Sequence, residues 1–251
     1  MSIVAKIDEL GIGNKSHASG AFPSKVLSRL EELLPKKMTS TAETGCGKST
    51  ILFSNLSSRH TVFCIDDTSE GENSSVKYFK SCPLTKLKRI EMVLGPTQRT
   101  LPTYKRFRSY DAVLIDGPHG FPFPDLEYYY FYPRLKPDAI LIVDDVHIAT
   151  IGRLADFINE DPMFELVELV ATTAVFRRTR VRAFDPLGDG WWLQDFNRRR
   201  IAQDNQYLKE YRLDDGKMKK PFAELVGAQH NKKRSASSGG ARLLRRLFGY
   251  Q

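Results

Sequence analysis

The chain has 251 residues, of which 41% are hydrophobic and 27% are charged; this composition is typical of one large globular domain and excludes the disordered, collagen-like and disulfide-dense classes. Six Lys and Arg residues between positions 232 and 246 supply most of the formal net charge of +8, and without them 32 basic residues face 30 acidic ones. The remaining chain is nearly neutral, so no specific nucleic-acid partner is expected. Three cysteines without CxxC spacing, no apolar run of eighteen residues and no export signal predict a protein of the reducing cytoplasm.

Short apolar runs alternate with helical stretches over the first two thirds of the chain. Residues 22–34 carry apolar side chains at helical spacing, which predicts an amphipathic helix. The apolar runs are predicted to be buried parallel strands, at residues 61–66, 90–94, 112–116 and 139–144. The stretches that alternate with these strands are predicted to be helices, at residues 48–56, 75–80, 126–135 and 151–158. This alternation predicts an α/β fold with a doubly wound, mostly parallel sheet.

The pattern changes near residue 164. Residues 164–170 and 174–184 have no helix between them, which predicts an antiparallel hairpin at one edge of the sheet. A last helix is predicted over residues 191–211, and a Lys/Ser/Gly-rich linker over residues 231–240. The chain is thereby divided into an N-terminal helical extension, one α/β domain and a basic, flexible tail, at residues 1–37, 38–212 and 213–251.

A glycine-rich loop, Gly45-Cys-Gly-Lys-Ser49, supports two interpretations. As a phosphate-binding loop, it would use Lys48 for the β- and γ-phosphates and Ser49 for Mg²⁺, with Asp116 or Asp144 as a further magnesium ligand. The protein would then be a nucleotide hydrolase or kinase.

Two features count against a phosphate-binding loop. Ala42 stands where the GxxxxGK[ST] pattern has its first glycine. Residues 37–42 are also too polar for the buried central strand that normally precedes such a loop.

As a nucleoside-cofactor loop, the same segment reads Glu43-x-Gly45-x-Gly47, in which the glycines let the backbone approach the ligand. Such a fold places a carboxylate at the end of the next strand to bind the ribose hydroxyls. Asp66 stands there, with Asp67 beside it.

Four segments occur in the order found in one group of enzymes: the glycine loop, Asp66, Gly95-Pro-Thr-Gln98, and the acids that follow two later strands. The chain resembles the class I S-adenosylmethionine-dependent methyltransferases, and within them the metal-dependent, catechol O-methyltransferase-like branch. The resemblance implies a Rossmann-like fold with a seven-stranded, mostly parallel sheet and a C-terminal antiparallel hairpin. It implies S-adenosylmethionine as the cofactor. The residues assigned to this cofactor are Glu43, Gly45, Gly47, Ser49, Asp66, Asp67, Thr97, Gln98 and Asp116.

Acidic residues follow two of the predicted parallel strands, so their carboxylates should meet at one edge of the sheet. Asp116, Asp144 and Asp145 would repel one another there, and a divalent cation, Mg²⁺ in the resembled branch, would relieve that repulsion. His119 stands where that branch has a lysine base, and with Asp116 it is assigned to catalysis. His147 is a second candidate base.

The predicted function is therefore methylation of a hydroxyl on a small molecule or sugar, assisted by a divalent metal. The alternatives are the phosphate-loop enzyme and a cofactor-binding module without catalysis. The arginines and apolar residues of 241–249 could contact a membrane surface or an acidic partner weakly, and an oligomer is compatible with the sequence.

Overall fold

The computed structural model describes residues 2–11 and 22–229. The strands are β1 (Met38–Thr44), β2 (Ser57–Cys64), β3 (Ile90–Leu94), β4 (Tyr110–Ile115), β5 (Leu135–Val143), β6 (Phe164–Val170) and β7 (Thr173–Arg178). The helices are α1 (Ile3–Glu9), α2 (Ser24–Leu33), α3 (Lys48–Leu56), α4 (Ser75–Ser81), α5 (Thr97–Thr103), α6 (Phe123–Phe131), α7 (Ala149–Glu160) and α8 (Asp195–Arg199). Residues 222–229 are also helical.

The strands form one sheet in the order β3-β2-β1-β4-β5-β7-β6. The first five strands of the chain pair in parallel, whereas β7 runs antiparallel to both of its neighbours, β5 and β6. This arrangement confirms the predicted α/β fold with a seven-stranded, mostly parallel sheet and a C-terminal antiparallel hairpin.

Strand β1 lies in the middle of the sheet although its sequence is polar. Two of its threonines have side-chain partners: Thr41 Oγ1 donates to Ser57 Oγ at 2.9 Å, and Thr44 Oγ1 donates to Glu127 Oε2 at 2.7 Å. Because these hydrogen bonds replace those that water would make, the strand can be buried. The prediction that residues 37–42 are too polar for a central strand is wrong.

Side chains of the central strands alternate between two hydrophobic layers. On β4, Val113 and Ile115 pack with α6 and α7 on one side of the sheet, while Ala112 and Leu114 pack with α2 and α3 on the other. The loops that join strands to helices are thereby held at the two ends of the sheet.

The N-terminal helices pack on the sheet domain. The carboxylate of Glu31, on α2, accepts the backbone N–H groups of Ile3 and Val4 at 2.8 and 3.0 Å and so caps α1. Ile7 is fully buried and packs in one cluster with Ile51 of α3. The predicted amphipathic helix 22–34 corresponds to α2.

Two predicted helices have different bounds. The helix predicted over 126–135 is α6, which begins at Phe123 and gives way to a single 3₁₀ turn, Tyr132–Arg134, before β5. The predicted helix 191–211 is wrong, because this stretch contains only the short α8 and two 3₁₀ turns. One reason is Asn205, whose side chain accepts the backbone N–H groups of Tyr207 and Leu208 and forms a turn that competes with a helix.

Residues 213–229 are packed against the domain, which contradicts the flexible tail predicted from residue 213. Phe222 is fully buried beside Phe176, with ring centroids 6.0 Å apart, and its backbone N–H donates to Asp156 Oδ1 at 2.7 Å. Lys219 Nζ donates to the Asn159 carbonyl at 2.7 Å. The predicted linker 231–240 and the segment 241–249 lie outside the described residues.

Within residues 2–11 and 22–229, no helix has both the length and the apolar character needed to cross a membrane.

Candidate active site

A cavity of about 360 Å³ opens at the end of the sheet where the parallel strands finish. The loops after β1 to β5 form its wall, as expected for a ligand site in an open α/β sheet. Its lining includes Gly45, Cys46, Cys64, Ile65, Asp67, Gly95, Pro96, Thr97, Asp116, Gly117, Pro118, His119 and Asp145.

The glycine loop touches the loop after β4. Gly45 has φ of +81°, and a Cβ atom at this position would lie 2.4 Å from the Asp116 carbonyl oxygen. Only glycine fits this conformation and this contact. At Gly47, in contrast, a Cβ atom would meet no atom within 4 Å.

Glu43 stabilises the glycine loop from the interior of the protein. Its side chain is fully buried, its Oε1 lies 3.1 Å from His60 Nε2, and it accepts the hydroxyl hydrogen of Thr50. Thr50 Oγ1 in turn accepts the Gly47 N–H at 2.9 Å. Glu43 therefore holds the loop in shape without lining the cavity; neither Gly47 nor the buried Ser49 lines it.

The two acids after β2 have different surroundings. Asp67 lines the cavity, and its carboxylate caps α4 by accepting the Ser75 N–H at 2.6 Å and the Ser74 hydroxyl at 2.6 Å. Asp66 is exposed and lies outside the cavity lining. Hydrogen bonds from Thr68 hold the pKa of Asp66 below its usual range.

The turn after β3 contributes three of its four predicted residues to the wall. Gly95, Pro96 and Thr97 line the cavity, whereas Gln98 is exposed and does not line it. The role predicted for Thr97 in cofactor binding stays a prediction, and Gln98 would need to turn inward to reach a ligand.

Asp116, His119 and Asp145 come together at one side of the cavity. One ligand atom from each lies within 4.8 Å of the others, and His119 Nε2 is 3.4 Å from Asp145 Oδ2. Asp144 is outside this group, because its carboxylate accepts the Thr173 hydroxyl of β7. Asp145, beyond the end of β5, has a backbone φ of +54° and lines the cavity, whereas Asp144 faces Thr173. The structure thus groups His119, in place of Asp144, with Asp116 and Asp145.

The carboxyl groups here are costly to ionise. Burial, and then repulsion from Asp144, raises the pKa of Asp116 well above its usual range. Burial also raises the pKa of Asp144 to about 6, although the Thr173 hydroxyl opposes the shift. A cation or a retained proton would stabilise such a cluster.

His119 is better placed than His147 to act on a ligand. His119 lines the cavity, and its backbone carbonyl accepts the hydroxyl of Thr150. His147 lies outside the lining, with Nδ1 at 3.6 Å from Asp145 Oδ1.

One residue close to the site has no sequence motif. Glu127, on α6, is fully buried and accepts the hydroxyl of Thr44. The only signal in the sequence is a single acid among the aromatic residues of that helix, a pattern that does not reveal what the carboxyl contacts.

Comparison with known proteins agrees with the geometry. Residues 42–146 match the family described as a methyltransferase domain, and no curated protein matches the sequence. An O-methyltransferase from Bacillus cereus in complex with S-adenosylhomocysteine (SAH) is 15% identical, with a TM-score of 0.52, over 70% of this chain and 90% of that chain. Cofactor-bound Rv0187 from MTB is 17% identical, with a TM-score of 0.50, over 69% of this chain and 89% of that chain. At these identities the two structures show a shared fold.

Proposed function

Because residues 42–146 match a methyltransferase domain, we propose that this chain transfers the methyl group of S-adenosylmethionine to a hydroxyl of a small-molecule acceptor. The observation that carries the proposal is the contact between the Gly45 loop and Asp116, which forms one wall of a cavity at the strand ends. The methyltransferase match includes this loop and both turns that complete the wall.

The proposed roles follow from the positions of the side chains. The Gly45 backbone would lie against the cofactor, and Asp67, with Asp66 nearby, would accept hydrogen bonds from the ribose hydroxyls. The acceptor oxygen would attack the sulfonium methyl in line, forming the O–CH₃ bond as the S–CH₃ bond breaks and SAH leaves. His119 Nε2 would take the hydroxyl proton, a role that a neutral imidazole can serve near neutral pH.

A divalent cation fits the group of Asp116, His119 and Asp145. The fit rests on their convergent ligand atoms and on the repulsion between their half-buried carboxyls. Carboxylate oxygens suit Mg²⁺ and Mn²⁺, whereas an imidazole ligand favours metals such as Fe²⁺ or Zn²⁺. When bound, the cation would acidify an acceptor hydroxyl and hold it near the methyl group.

Metal binding and base catalysis make opposite demands on His119, since an imidazole nitrogen bound to a metal cannot take a proton. We expect Mg²⁺ or Mn²⁺ to raise the melting temperature of the wild-type protein and not that of Asp145→Asn. Equal shifts in both proteins would argue against a metal at this site. If His119→Ala also loses the shift, the histidine is a ligand and not the base.

The phosphate-loop interpretation is tested by titrating the protein separately with two ligands. In calorimetric titrations, we expect SAH to bind the wild-type protein and Lys48→Ala with similar affinity. A non-hydrolysable ATP analogue with Mg²⁺ should not bind. Binding of the ATP analogue alone, lost in Lys48→Ala, would replace the proposed function with nucleotide hydrolysis or phosphoryl transfer. SAH binding without turnover across an acceptor library would favour a non-catalytic cofactor-binding module.

We further propose that the reaction takes place in a reducing compartment such as the cytoplasm. Cys46, Cys64 and Cys82 are all free thiols, and the first two line the cavity that would hold the cofactor.

A further inference from the structure

The carboxyl of Glu127 lies directly behind the cavity wall. Glu127 is on α6, none of whose described residues lines the cavity, and its side chain has no exposed surface. A buried carboxyl is costly, and helix packing alone would be served better by an apolar side chain. Its contacts must therefore explain its presence.

One oxygen of Glu127 begins a directed chain of hydrogen bonds to the site. The Thr44 hydroxyl donates its hydrogen to Glu127 Oε2 at 2.7 Å, and Thr44 Oγ1 accepts the backbone N–H of Asp116 at 3.0 Å. A hydroxyl has only one hydrogen, so its donation to Glu127 leaves a lone pair for the Asp116 amide. The carboxylate thus sets the direction of both bonds.

The other oxygen is packed against the next residue of the same turn. A Cβ atom at Gly117 would lie 2.1 Å from Glu127 Oε1, so only glycine allows the turn to rest on the carboxyl. Neither Oε1 nor the buried Thr97 Oγ1 makes a hydrogen bond within residues 2–11 and 22–229. Burial raises the pKa of Glu127, and the Thr97 hydroxyl and the Gly117 amide oppose that rise.

The carboxyl therefore lies where two turns of the cavity wall meet: those that follow β1 and β4. Displacement of Asp116 would also displace the glycine loop, because the Asp116 carbonyl occupies the space beside Gly45. We propose that Glu127 is a positioning residue, which through Thr44 fixes the Asp116–Gly117 turn against the glycine loop so that the cavity keeps the shape that binds the cofactor. The identity of that cofactor rests on the proposed function.

The test uses Glu127→Gln, Thr44→Val and the double variant. A carboxamide has one accepting end, so its NH₂ group must replace either the oxygen that accepts the Thr44 hydroxyl or the oxygen packed against Gly117. Glu165→Gln is the matched control, because it makes the same chemical change on the exposed side of β6. Binding of SAH is measured by calorimetry, thermal unfolding by calorimetric scan, and the Asp116 backbone amide by ¹H–¹⁵N NMR.

We expect Glu127→Gln and Thr44→Val each to weaken SAH binding about tenfold or more and to shift the Asp116 amide resonance. We expect the double variant to bind SAH with no lower affinity than the single variant of lower affinity, because both changes break the same hydrogen-bond chain. Glu165→Gln should match the wild type in all three measurements.

Unchanged SAH affinity in Glu127→Gln, or additive losses in the double variant, would overturn the positioning role. If wild-type protein fails to bind SAH, the proposed function fails. The Asp116 resonance then still decides the inference, since it reports the hydrogen-bond chain without a ligand: a shift in both single variants supports it, and no shift refutes it. A single variant that loses its folded spectrum is replaced in the comparison by Thr44→Ser, which keeps the hydroxyl and should restore the wild-type resonance and affinity.

Discussion

Gly45 and Gly47 are two residues apart in one loop, but only Gly45 is confined. We expect Gly45→Ala to weaken SAH binding at least a hundredfold, because a methyl group would collide with the Asp116 carbonyl and the backbone would be strained at positive φ. Gly47→Ala has open space around its new methyl group, so it should weaken SAH binding less than tenfold. Calorimetric titration of both variants checks this order, and equal losses would contradict it.

Glu127 should also make stability depend on pH. Burial raises its pKa from 4.5 to about 7, so the folded protein holds this proton more tightly than the unfolded chain does. The stabilising contribution is complete below about pH 4.5 and is lost as pH rises through 7. At about 1.4 kcal/mol per pKa unit, the loss is about 3 kcal/mol.

Glu127→Gln cannot ionise, so it should lack this part of the pH dependence. Between pH 4.5 and 8, we expect the free energy of unfolding of the variant to improve by about 3 kcal/mol relative to the wild type. Urea unfolding at the two pH values measures the change. If the difference in free energy of unfolding between the two proteins is the same at both pH values, the pKa of the Glu127 carboxyl is not raised.

Motif positions predicted the wall of the cavity but not the direction of each side chain. Gly45, Thr97 and Asp116 are found where the motifs put them, since loop order along a parallel sheet follows from strand order. Asp144 is turned toward Thr173, on a strand 29 residues later, and Glu127, on α6, contacts Thr44, which lies 83 residues earlier in the chain. Such contacts have no periodicity that a sequence could reveal.

Among the elements, the helix of residues 222–229 makes the largest unexpected contribution to packing. Phe222 is fully buried between β7 and α7, so Phe222→Ala should lower the free energy of unfolding by about 3–5 kcal/mol. Tyr207→Ala is the control, because Tyr207 is 94% exposed and should change stability by about 0.5 kcal/mol or less. Urea unfolding compares the two variants, and a small effect of Phe222→Ala would mean that this helix is loosely held.

Elements with strong local patterns were predictable, and those defined by distant partners were not. The predicted strand 90–94 and helix 48–56 have the bounds of β3 and α3. Strand β1 was not predicted because of its threonines, whose hydrogen-bond partners, Ser57 and Glu127 among them, lie outside the strand. Residues 213–229 are held by Asp156 and Asn159 of α7, some sixty residues earlier in the chain.

At the scale of the whole molecule, the cavity should couple cofactor binding to stability. SAH at a hundred times its dissociation constant should add about 2.7 kcal/mol to the free energy of unfolding. For a chain of this length, that corresponds to a rise in melting temperature of roughly 5–10 °C. Gly45→Ala should show little of this rise at the same SAH concentration. No shift in wild-type protein at saturating SAH would contradict the assignment of the cavity.

The position of β7 between β5 and β6 has a consequence for synthesis on the ribosome. β6 emerges before β7, yet it joins the sheet only through β7, so β5 keeps an open edge until residues 173–178 have appeared. An open strand edge can pair with another chain. β6 can therefore join the sheet only after β7 has been made, and a nascent chain that stops before residue 173 leaves the edge of β5 open.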